Sequence, residues 1–398
     1  MRPYGPGTPW RLRPDVTFLN HGSFGACPVP VLERQRALVD ELESSPVVFL
    51  DNLREERLDP ARRAVAAFIG ADPEGLVFVP NATTGVSTVL RSLRFEPGDQ
   101  ILMTDHEYNA ILNAAAETAR GSGAEVVMVR LPLEIDSADQ VVEAVLDAVT
   151  PRTRLAVVSQ ITSPTATILP VAELVRELDA RGVDTLVDGA HAPGQVALDV
   201  GALGAAYWTG NGHKWLCGAK GSGFLVVRPD RRDRVRTLTI SHGWNDPGTR
   251  PRLWKEFDWM GTGDPTPYLA LPVAIDVVGR LHPAGWPGVM AANHDLAIAG
   301  RDRIARALGV TPRTPDALFG SMAIVPLPMP PDSAAIAALK TALMTEDRIE
   351  VPIVGWPVPA ARRAHSDQPS AVAVRISAQL YNETADYDRL AEALARRL

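Results

Sequence analysis

The chain has 398 residues, of which 46% are hydrophobic and 22% are charged. This composition is typical of a folded globular protein and excludes a largely disordered one. The formal net charge is −7, from 40 basic and 47 acidic residues, and the basic residues form no clustered patch. The charge pattern therefore argues against nucleic-acid binding, and the length predicts about two domains.

The N-terminal sequence and the low cysteine content favour a reducing compartment. The N-terminal residues lack the apolar core of a signal peptide. The longest apolar run, Leu269 to Val278, is interrupted by Pro272 and Asp276 and is too short to span a membrane. The two cysteines, Cys27 and Cys217, are too few for a disulfide framework or a structural zinc site. We therefore predict a cytoplasmic protein without a membrane partner.

Between residues 76 and 227, short apolar runs alternate with segments of helical periodicity such as 110–120 and 171–181. Nearly continuous apolar runs are typical of strands that are covered on both faces. Their alternation with helices predicts an open, mostly parallel α/β sheet, whose ligands bind beyond the carboxyl ends of the strands. The predicted strands are 76–79, 100–103, 126–129, 155–158, 185–187 and 224–227.

The pattern changes after residue 266. A long helical stretch is interrupted near Pro283 and Pro287, and shorter helices and strands follow it to the C-terminus. We predict a large domain over residues 31–266 and a smaller α+β domain over residues 267–398. Residues 1–30 are rich in proline and glycine, and we predict that they cover the active site. The predicted C-terminal elements are helical 268–306, strand 320–325, helix 333–344, strand 371–377 and helix 385–397.

Lys214 lies in the segment Asn-Gly-His-Lys-Trp, residues 211–215, between two predicted strands. A lysine that is desolvated at a strand end has a lowered pKa and can form a Schiff base with an aldehyde. The alternative is a surface lysine whose stem packs on Trp215. This segment alone favours the surface lysine.

Two other segments at predicted strand ends add to this chemistry. Asp188 follows the strand at 185–187, where a buried carboxylate needs a cation or a protonated ring nitrogen, or serves as a helix cap. Residues 81–84, Asn-Ala-Thr-Thr, start a predicted helix and form either a phosphate site or a plain cap. A phosphate site, an acid for a ring nitrogen and a Schiff-base lysine together predict pyridoxal 5'-phosphate (PLP) as the cofactor.

The chain resembles the class V aminotransferase-fold enzymes, in the isopenicillin-N-epimerase-like branch that is related to cysteine desulfurases. The resemblance covers nearly the whole chain and implies the type I fold of PLP-dependent transferases. It also implies a homodimer with a shared active site and a small amino-acid-type substrate. The motifs that carry it are 19–25 LNHGSFG, 81–84 NATT, 105–108 DHEY, 163–165 SPT, 187–194 VDGAHAPG and 210–215 GNGHKW.

The resemblance assigns the cofactor contacts residue by residue. Lys214 would hold the cofactor and then move the proton at the substrate Cα through an external aldimine. Asp188 would keep the ring nitrogen protonated, and His191 would bind the phenolic oxygen, near which Ser163 stands where many relatives carry asparagine. The residues implied for the phosphate are Ala82, Thr83, Asn211, His213 and, from the neighbouring subunit, Thr262.

Substrate contacts follow from the same resemblance. His106 or Tyr108 would stack on the cofactor ring, and both are candidates for proton transfer; core packing is the alternative for either. Arg375 would bind the substrate α-carboxylate through two parallel hydrogen bonds. His21 and Ser23 are further candidates for substrate binding, and His21 also for a second base.

The reaction is less closely defined than the cofactor. Residues 349–374 contain no cysteine, so the persulfide chemistry of the desulfurases is not expected. Our first prediction is an isopenicillin-N-epimerase-like isomerase that acts at the Cα of an amino-acid-type substrate. The alternative is a carbon–sulfur β-lyase on cysteine S-conjugates in specialised metabolism, and decarboxylation or deamination stays open.

Two other classes are disfavoured. A protein that keeps the fold only for binding would not need Lys214, Asp188 and Arg375 together. A metal site is not expected, because His213 and Cys217 lack further ligands.

Overall fold

A computed structural model describes residues 8–362 and 369–398. The strands are β1 (Thr17–Phe18), β2 (Leu76–Val79), β3 (Gln100–Thr104), β4 (Glu125–Val129), β5 (Thr153–Ser159), β6 (Asp184–Gly189), β7 (Tyr207–Asn211), β8 (Gly223–Val227), β9 (Met322–Pro326), β10 (Ile349–Glu350), β11 (Ile353–Trp356) and β12 (Ala371–Ser377). The helices are α1 (His21–Phe24), α2 (Val29–Ser44), α3 (Arg54–Ile69), α4 (Ala82–Ser92), α5 (Asn109–Ser122), α6 (Ala138–Asp147), α7 (Val171–Ala180), α8 (Val200–Leu203), α9 (Arg252–Phe257), α10 (Thr266–Leu269), α11 (Leu271–Arg280), α12 (Gly285–Leu308), α13 (Ser333–Thr345), α14 (Pro359–Arg362) and α15 (Thr384–Arg397).

Within the described residues, the main sheet has seven strands in the order β2-β8-β7-β6-β5-β3-β4. Its neighbouring strands run parallel except at β8, which is antiparallel to both β2 and β7. The predicted α/β architecture with a mostly parallel sheet is therefore confirmed. The parallel strands β2, β3, β5, β6 and β7 end at one edge, where the predicted site residues follow them.

Alternate residues of these strands enter two separate cores, one on each face of the sheet. Val77, Ile101 and Val157 belong to one core, whereas Phe78 and Val158 belong to the other. This alternation follows from the two-residue period of a strand and explains why the strands are apolar on both faces. Burying each such side chain contributes about 1.5–3 kcal/mol to stability.

A smaller antiparallel sheet, in the order β11-β12-β9, lies in the C-terminal part of the chain. Helix α12 packs against both α15 and β9, and α13 packs against β11. This is the α+β unit that the sequence predicts. The domain boundaries at residues 30/31 and 266/267 stay a prediction.

The described part of the N-terminal segment connects the two parts of the molecule. Strand β1 pairs in parallel with β10 of the C-terminal unit. Gly25 lies so close to the main chain of the lysine-bearing turn that a Cβ atom there would be 2.7 Å from the carbonyl oxygen of Lys214. The segment therefore contacts both units beside Lys214. In the described parts of the chain, no helix is both long and apolar enough to cross a membrane.

Candidate active site

A small cavity of about 30 Å³ lies at the carboxyl edge of the main sheet. Parallel strands collect side chains that are far apart in sequence at this edge, which is why ligands bind there. The residues that line the cavity are Ala82, Thr83, Tyr108, Ser159, Ile161, Ser163, Asp188, Ala190, His191, Asn211 and Lys214.

Lys214 contacts His191 inside this cavity. Its Nζ lies 2.9 Å from His191 Nε2, and the indole N–H of Trp215 donates to His191 Nδ1 at 3.3 Å. Because Nδ1 accepts this bond, the proton of the neutral ring lies on Nε2 and faces the lysine nitrogen. The pair is then satisfied when Lys214 is an uncharged amine that accepts this bond.

Burial acts in the same direction on both side chains. It lowers the pKa of Lys214 to about 7, although the carboxylate of Asp188 opposes the shift. It also holds the pKa of His191 well below its usual range. Both groups are therefore neutral near pH 8, the state in which an amine is nucleophilic.

Asp188 is the penultimate residue of strand β6 and is only 4% exposed. Its Oδ1 accepts the Ala190 N–H at 2.9 Å. Burial raises the pKa of this carboxyl group, while the Ala190 N–H and the charge of Lys214 lower it. A buried carboxylate without an arginine partner is suited to a ligand that brings a positive charge.

A second buried carboxyl group, Glu107, lies beside Asp188 and was not identified from the sequence. It accepts hydrogen bonds from the Thr104 hydroxyl at 2.9 Å and the Ser159 N–H at 3.1 Å, and Ser159 Oγ lies 2.5 Å from its other oxygen. Ser159 pairs directly with Asp188 across the sheet. Burial raises the pKa of Glu107 to about 7, and the charge of Asp188 adds to this effect. Glu107 lies inside the motif at 105–108, and this position could have identified it as a candidate site residue from the sequence.

Helix α4 begins at the cavity. Asn81 caps this 11-residue helix, because its Oδ1 accepts the Thr84 N–H at 2.9 Å. The Ala82 N–H donates to Asn211 Oδ1 at 2.8 Å, and Thr83 lines the cavity beside them. The positive end of the helix thus faces a cavity wall of amide and hydroxyl groups, as an anion site requires.

His213 and Thr262 lie apart from the cavity wall. His213 Nδ1 bonds the Ser222 carbonyl at 3.0 Å, and burial lowers the pKa of the His213 ring to about 4. Thr262 is exposed on a segment between α9 and α10. It lines a surface groove with Phe49 and Trp259. Their roles in phosphate binding stay predictions.

The structure separates the two aromatic candidates for ring stacking. Tyr108 lines the cavity and is 46% exposed. His106 is fully buried, and its two ring nitrogens bond Thr165 Oγ1 at 2.7 Å and the Pro132 carbonyl at 2.9 Å. Both of its polar atoms are engaged outside the cavity, and among the described residues His106 does not line it; a role for His106 in the site stays a prediction.

Arg375 lies behind Ser163, and among the described residues it is not part of the cavity lining. Its Nη2 donates to Ser23 Oγ at 2.9 Å, and its Nη1 donates to the Ser163 carbonyl. Its Nε is buried without a partner among the described residues. Burial lowers the pKa of this guanidinium to about 10. A carboxylate is the ligand that satisfies such a charged, incompletely bonded donor.

Among the described residues, His21 does not line the cavity, and its role in substrate binding stays a prediction. His21 is fully buried and bonds the Tyr381 hydroxyl at 2.7 Å and the Lys214 carbonyl at 3.1 Å. Its ring therefore lies behind the lysine-bearing turn rather than in the cavity. Ser23, two residues later, contacts Arg375.

The cavity residues fit PLP by the chemistry of their donor groups. A helix N-terminus with Thr83 suits the phosphate, Asp188 suits a protonated ring nitrogen, and the neutral amine of Lys214 suits the aldehyde. Within the described residues, no group of three His, Cys, Asp or Glu side chains could hold a metal ion.

Comparisons with known proteins agree with this fit. Isopenicillin N epimerase of Amycolatopsis lactamdurans is 36% identical, over 96% of this chain and 95% of that protein. L-cysteine desulfhydrase of Arabidopsis thaliana is 30% identical, over 95% of this chain and 87% of that protein. The cystine C-S lyase C-DES, solved with cysteine persulfide, superposes with a TM-score of 0.77 at 23% identity, over 96% and 98% of the two chains. The family model of Aminotransferase class-V matches residues 31–390, and the chain belongs to this family of PLP-dependent enzymes with the type I fold.

Proposed function

We propose that this enzyme removes the Cα proton of an amino-acid-type substrate, with Lys214 as the base. The observation that carries the proposal is the convergence of Lys214, His191, Asp188 and the start of α4 on one cavity. When bound there, PLP supplies an electron sink that stabilises the carbanion formed at Cα.

The residues around the cavity divide the remaining tasks. The guanidinium of Arg375 binds the substrate carboxylate and so fixes which side of Cα faces Lys214. Asp188 would hold the positive charge of the ring nitrogen, Thr83 at the start of α4 would hold the phosphate, and the Nε2–H of His191 would hold the phenolic oxygen.

Epimerisation at Cα is the first proposed outcome. It needs a second group that returns the proton on the face opposite Lys214. Of the three candidates His21, His106 and Tyr108, only Tyr108 lines the cavity in the described residues. We therefore assign this role to Tyr108, which also covers the cofactor ring. The similarity to isopenicillin N epimerase over 96% of the chain supports this outcome.

Carbon–sulfur β-elimination is the second proposed outcome. After loss of the Cα proton, the Cβ–S bond breaks, a thiol leaves with that proton, and water releases pyruvate and ammonia. This reaction needs one base, and Lys214 is the only amine among the cavity residues described. The relatives named as L-cysteine desulfhydrase and hercynylcysteine sulfoxide lyase support it.

We further propose a homodimer in which Thr262 reaches the phosphate of the neighbouring subunit. Its exposed position beside the groove of Phe49 and Trp259 supports a contact with a second copy. The cytoplasm and specialised metabolism are the proposed setting.

Proton NMR in deuterated water tests the proposal. The holoenzyme is given cysteine S-conjugates, L-cysteine and small peptides that end in an α-carboxylate. Exchange of the Cα proton with the carbon skeleton intact is the result expected for an epimerase, whereas pyruvate and free thiol identify a lyase. If no substrate exchanges its Cα proton or breaks down, Cα deprotonation is not the function.

A further inference from the structure

We infer that His21 is a positioning residue, which holds the main chain of Lys214 through its Nε2–H and thereby sets the reactivity of the lysine. The inference rests on the proposed role of Lys214 and extends it to a residue outside the cavity. His21 lies 193 positions from Lys214 in sequence, in the segment that connects the two units of the fold.

The main chain around His21 determines which ring nitrogen carries the proton. The Ala26 N–H, which can only donate, faces Nδ1 at 3.3 Å. The Lys214 carbonyl, which can only accept, faces Nε2 at 3.1 Å. The Lys214 carbonyl is closer to Nε2 than the Gln379 amide nitrogen, which lies 3.5 Å away, so these contacts favour the proton on Nε2. The Tyr381 hydroxyl, 2.7 Å from Nδ1, then donates to Nδ1.

The surroundings keep the His21 ring neutral. Burial, together with the nearby charge of Lys220, lowers the pKa of His21 to about 3, although the hydrogen bond to the Lys214 carbonyl opposes this shift. Lys220 itself bonds the Gly25 carbonyl at 2.8 Å. The other polar side chains against the ring are Cys217 and Gln379, at 3.7 and 3.5 Å from Nε2, and burial raises the pKa of the Cys217 thiol, which therefore stays uncharged. The ring therefore donates from Nε2 throughout the physiological pH range.

This contact holds the turn from both sides. On the cavity side, Lys214 Nζ meets His191. On the other side, the His21 ring packs on Trp215, with 4.8 Å between ring centroids, and bonds the carbonyl of Lys214. Trp215 is also the residue that donates to His191. A shift of this turn would therefore displace both the Lys214 amine and the Trp215 indole N–H that fixes the tautomer of His191.

Two substitutions of His21 test the contacts of the two ring nitrogens separately. His21→Gln places an amide nitrogen where Nε2 lies and keeps a donor to the Lys214 carbonyl. His21→Asn keeps an acceptor for Ala26 and Tyr381 but does not reach that carbonyl. Both lose the aromatic packing on Trp215 and differ from each other by one methylene group as well as by the donor position.

The readout is the rate at which visible cofactor absorbance appears when PLP is added to cofactor-free full-length protein. We expect His21→Asn to be slowed by about tenfold or more, and His21→Gln by less than about threefold. Equal rates in the two variants, or a slower His21→Gln, would overturn the positioning role. Absence of the absorbance in the parent protein would instead contradict the proposed role of Lys214.

A measurement on the unsubstituted holoenzyme covers the case in which the variants do not fold. The chain has eight histidines, whose ring nitrogens are resolved by ¹⁵N NMR after selective labelling. We expect the His21 ring to be neutral, with its proton on Nε2, and not to titrate between about pH 5 and 9; the His191 ring should have the same tautomer. A ring assigned to His21 that titrates in this range, or that carries its proton on Nδ1, would overturn the inference.

Discussion

At the scale of single residues, the chemistry of the site depends on the protonation of Lys214. An exposed lysine is almost entirely charged near neutral pH. Burial in the cavity lowers its pKa to about 7, and the Nε2–H of His191 favours the uncharged amine, because an ammonium group could not accept its hydrogen bond. The structure thus shows a buried, nucleophilic amine at Lys214, whereas the sequence alone could not exclude a surface lysine.

The pH dependence of cofactor attachment should report this shift. Since the neutral amine reacts, the rate of absorbance development after PLP addition should rise with pH and level off above about pH 7. Lys214→Ala should develop no such absorbance, which is the control. A rate that still rises steeply towards pH 10 would show that the lysine is not desolvated.

Arg375 gives a second prediction at this scale. Lysine keeps the charge at this position but cannot offer two parallel donors to a carboxylate. We expect Arg375→Lys to raise the KM for L-cysteine by about 10- to 100-fold, or to raise the dissociation constant of L-cysteine by the same factor if no turnover occurs. Arg154→Lys, at a largely exposed arginine paired with Asp99, is the control and should have no effect. An unchanged KM in Arg375→Lys would remove this residue from the substrate site.

At the scale of elements, most strands and helices were predicted because their hydrophobic pattern is local, but β7, β10 and β11 were missed. Strand β12 has the predicted bounds 371–377, and α15 begins one residue before its predicted start at 385. The long helical stretch at 268–306 is divided into α10, α11 and α12. Pro287 lies within the first turn of α12, where a proline removes no helical hydrogen bond, so it does not interrupt that helix.

The contact between α1 and the lysine-bearing turn was not predictable from local pattern. Gly25, which ends α1, has a φ of +66°, and a Cβ atom there would lie 2.5 Å from the His213 carbonyl oxygen. Only a residue without a side chain allows the two main chains to approach this closely. The N-terminal segment therefore depends on Gly25 to reach Lys214.

Substitution of Gly25 should test this packing. Gly182 has a similar φ of +73°, but a Cβ atom there would meet no other atom within 4 Å, so Gly182→Ala should cost only about 1–2 kcal/mol of unfolding free energy. Gly25→Ala should cost about 2–5 kcal/mol, because overpacking adds to the same backbone strain. Chemical denaturation measures both. Equal losses would mean that the close approach at Gly25 carries no energetic weight.

At the scale of the whole molecule, Thr262 is the residue whose predicted role needs a second chain. It is exposed and lies outside the cavity of its own chain. The groove beside it contains Phe49, Trp259 and Met260, which a second copy would cover. A phosphate contact from Thr262 would therefore link cofactor binding to association.

We expect Thr262→Ala to weaken PLP retention by about tenfold, as the loss of one hydrogen bond to a charged group predicts. Thr262→Ser keeps the hydroxyl and should retain PLP like the parent. Equilibrium dialysis measures retention, and sedimentation velocity checks that all three proteins associate to the same extent. Equal retention in the alanine and serine variants, or a monomeric parent, would contradict the shared site.

The sequence by itself determined the cofactor chemistry, because the motifs around residues 81–84, Asp188 and Lys214 are contiguous and each follows one strand. Tertiary structure decided which neighbouring side chains face the cavity. Tyr108 lines it, whereas His106 and His21 are buried against other parts of the chain. Glu107 meets Asp188 only through pairing of β5 with β6. Such contacts depend on packing between distant segments, which no local pattern of residue types encodes.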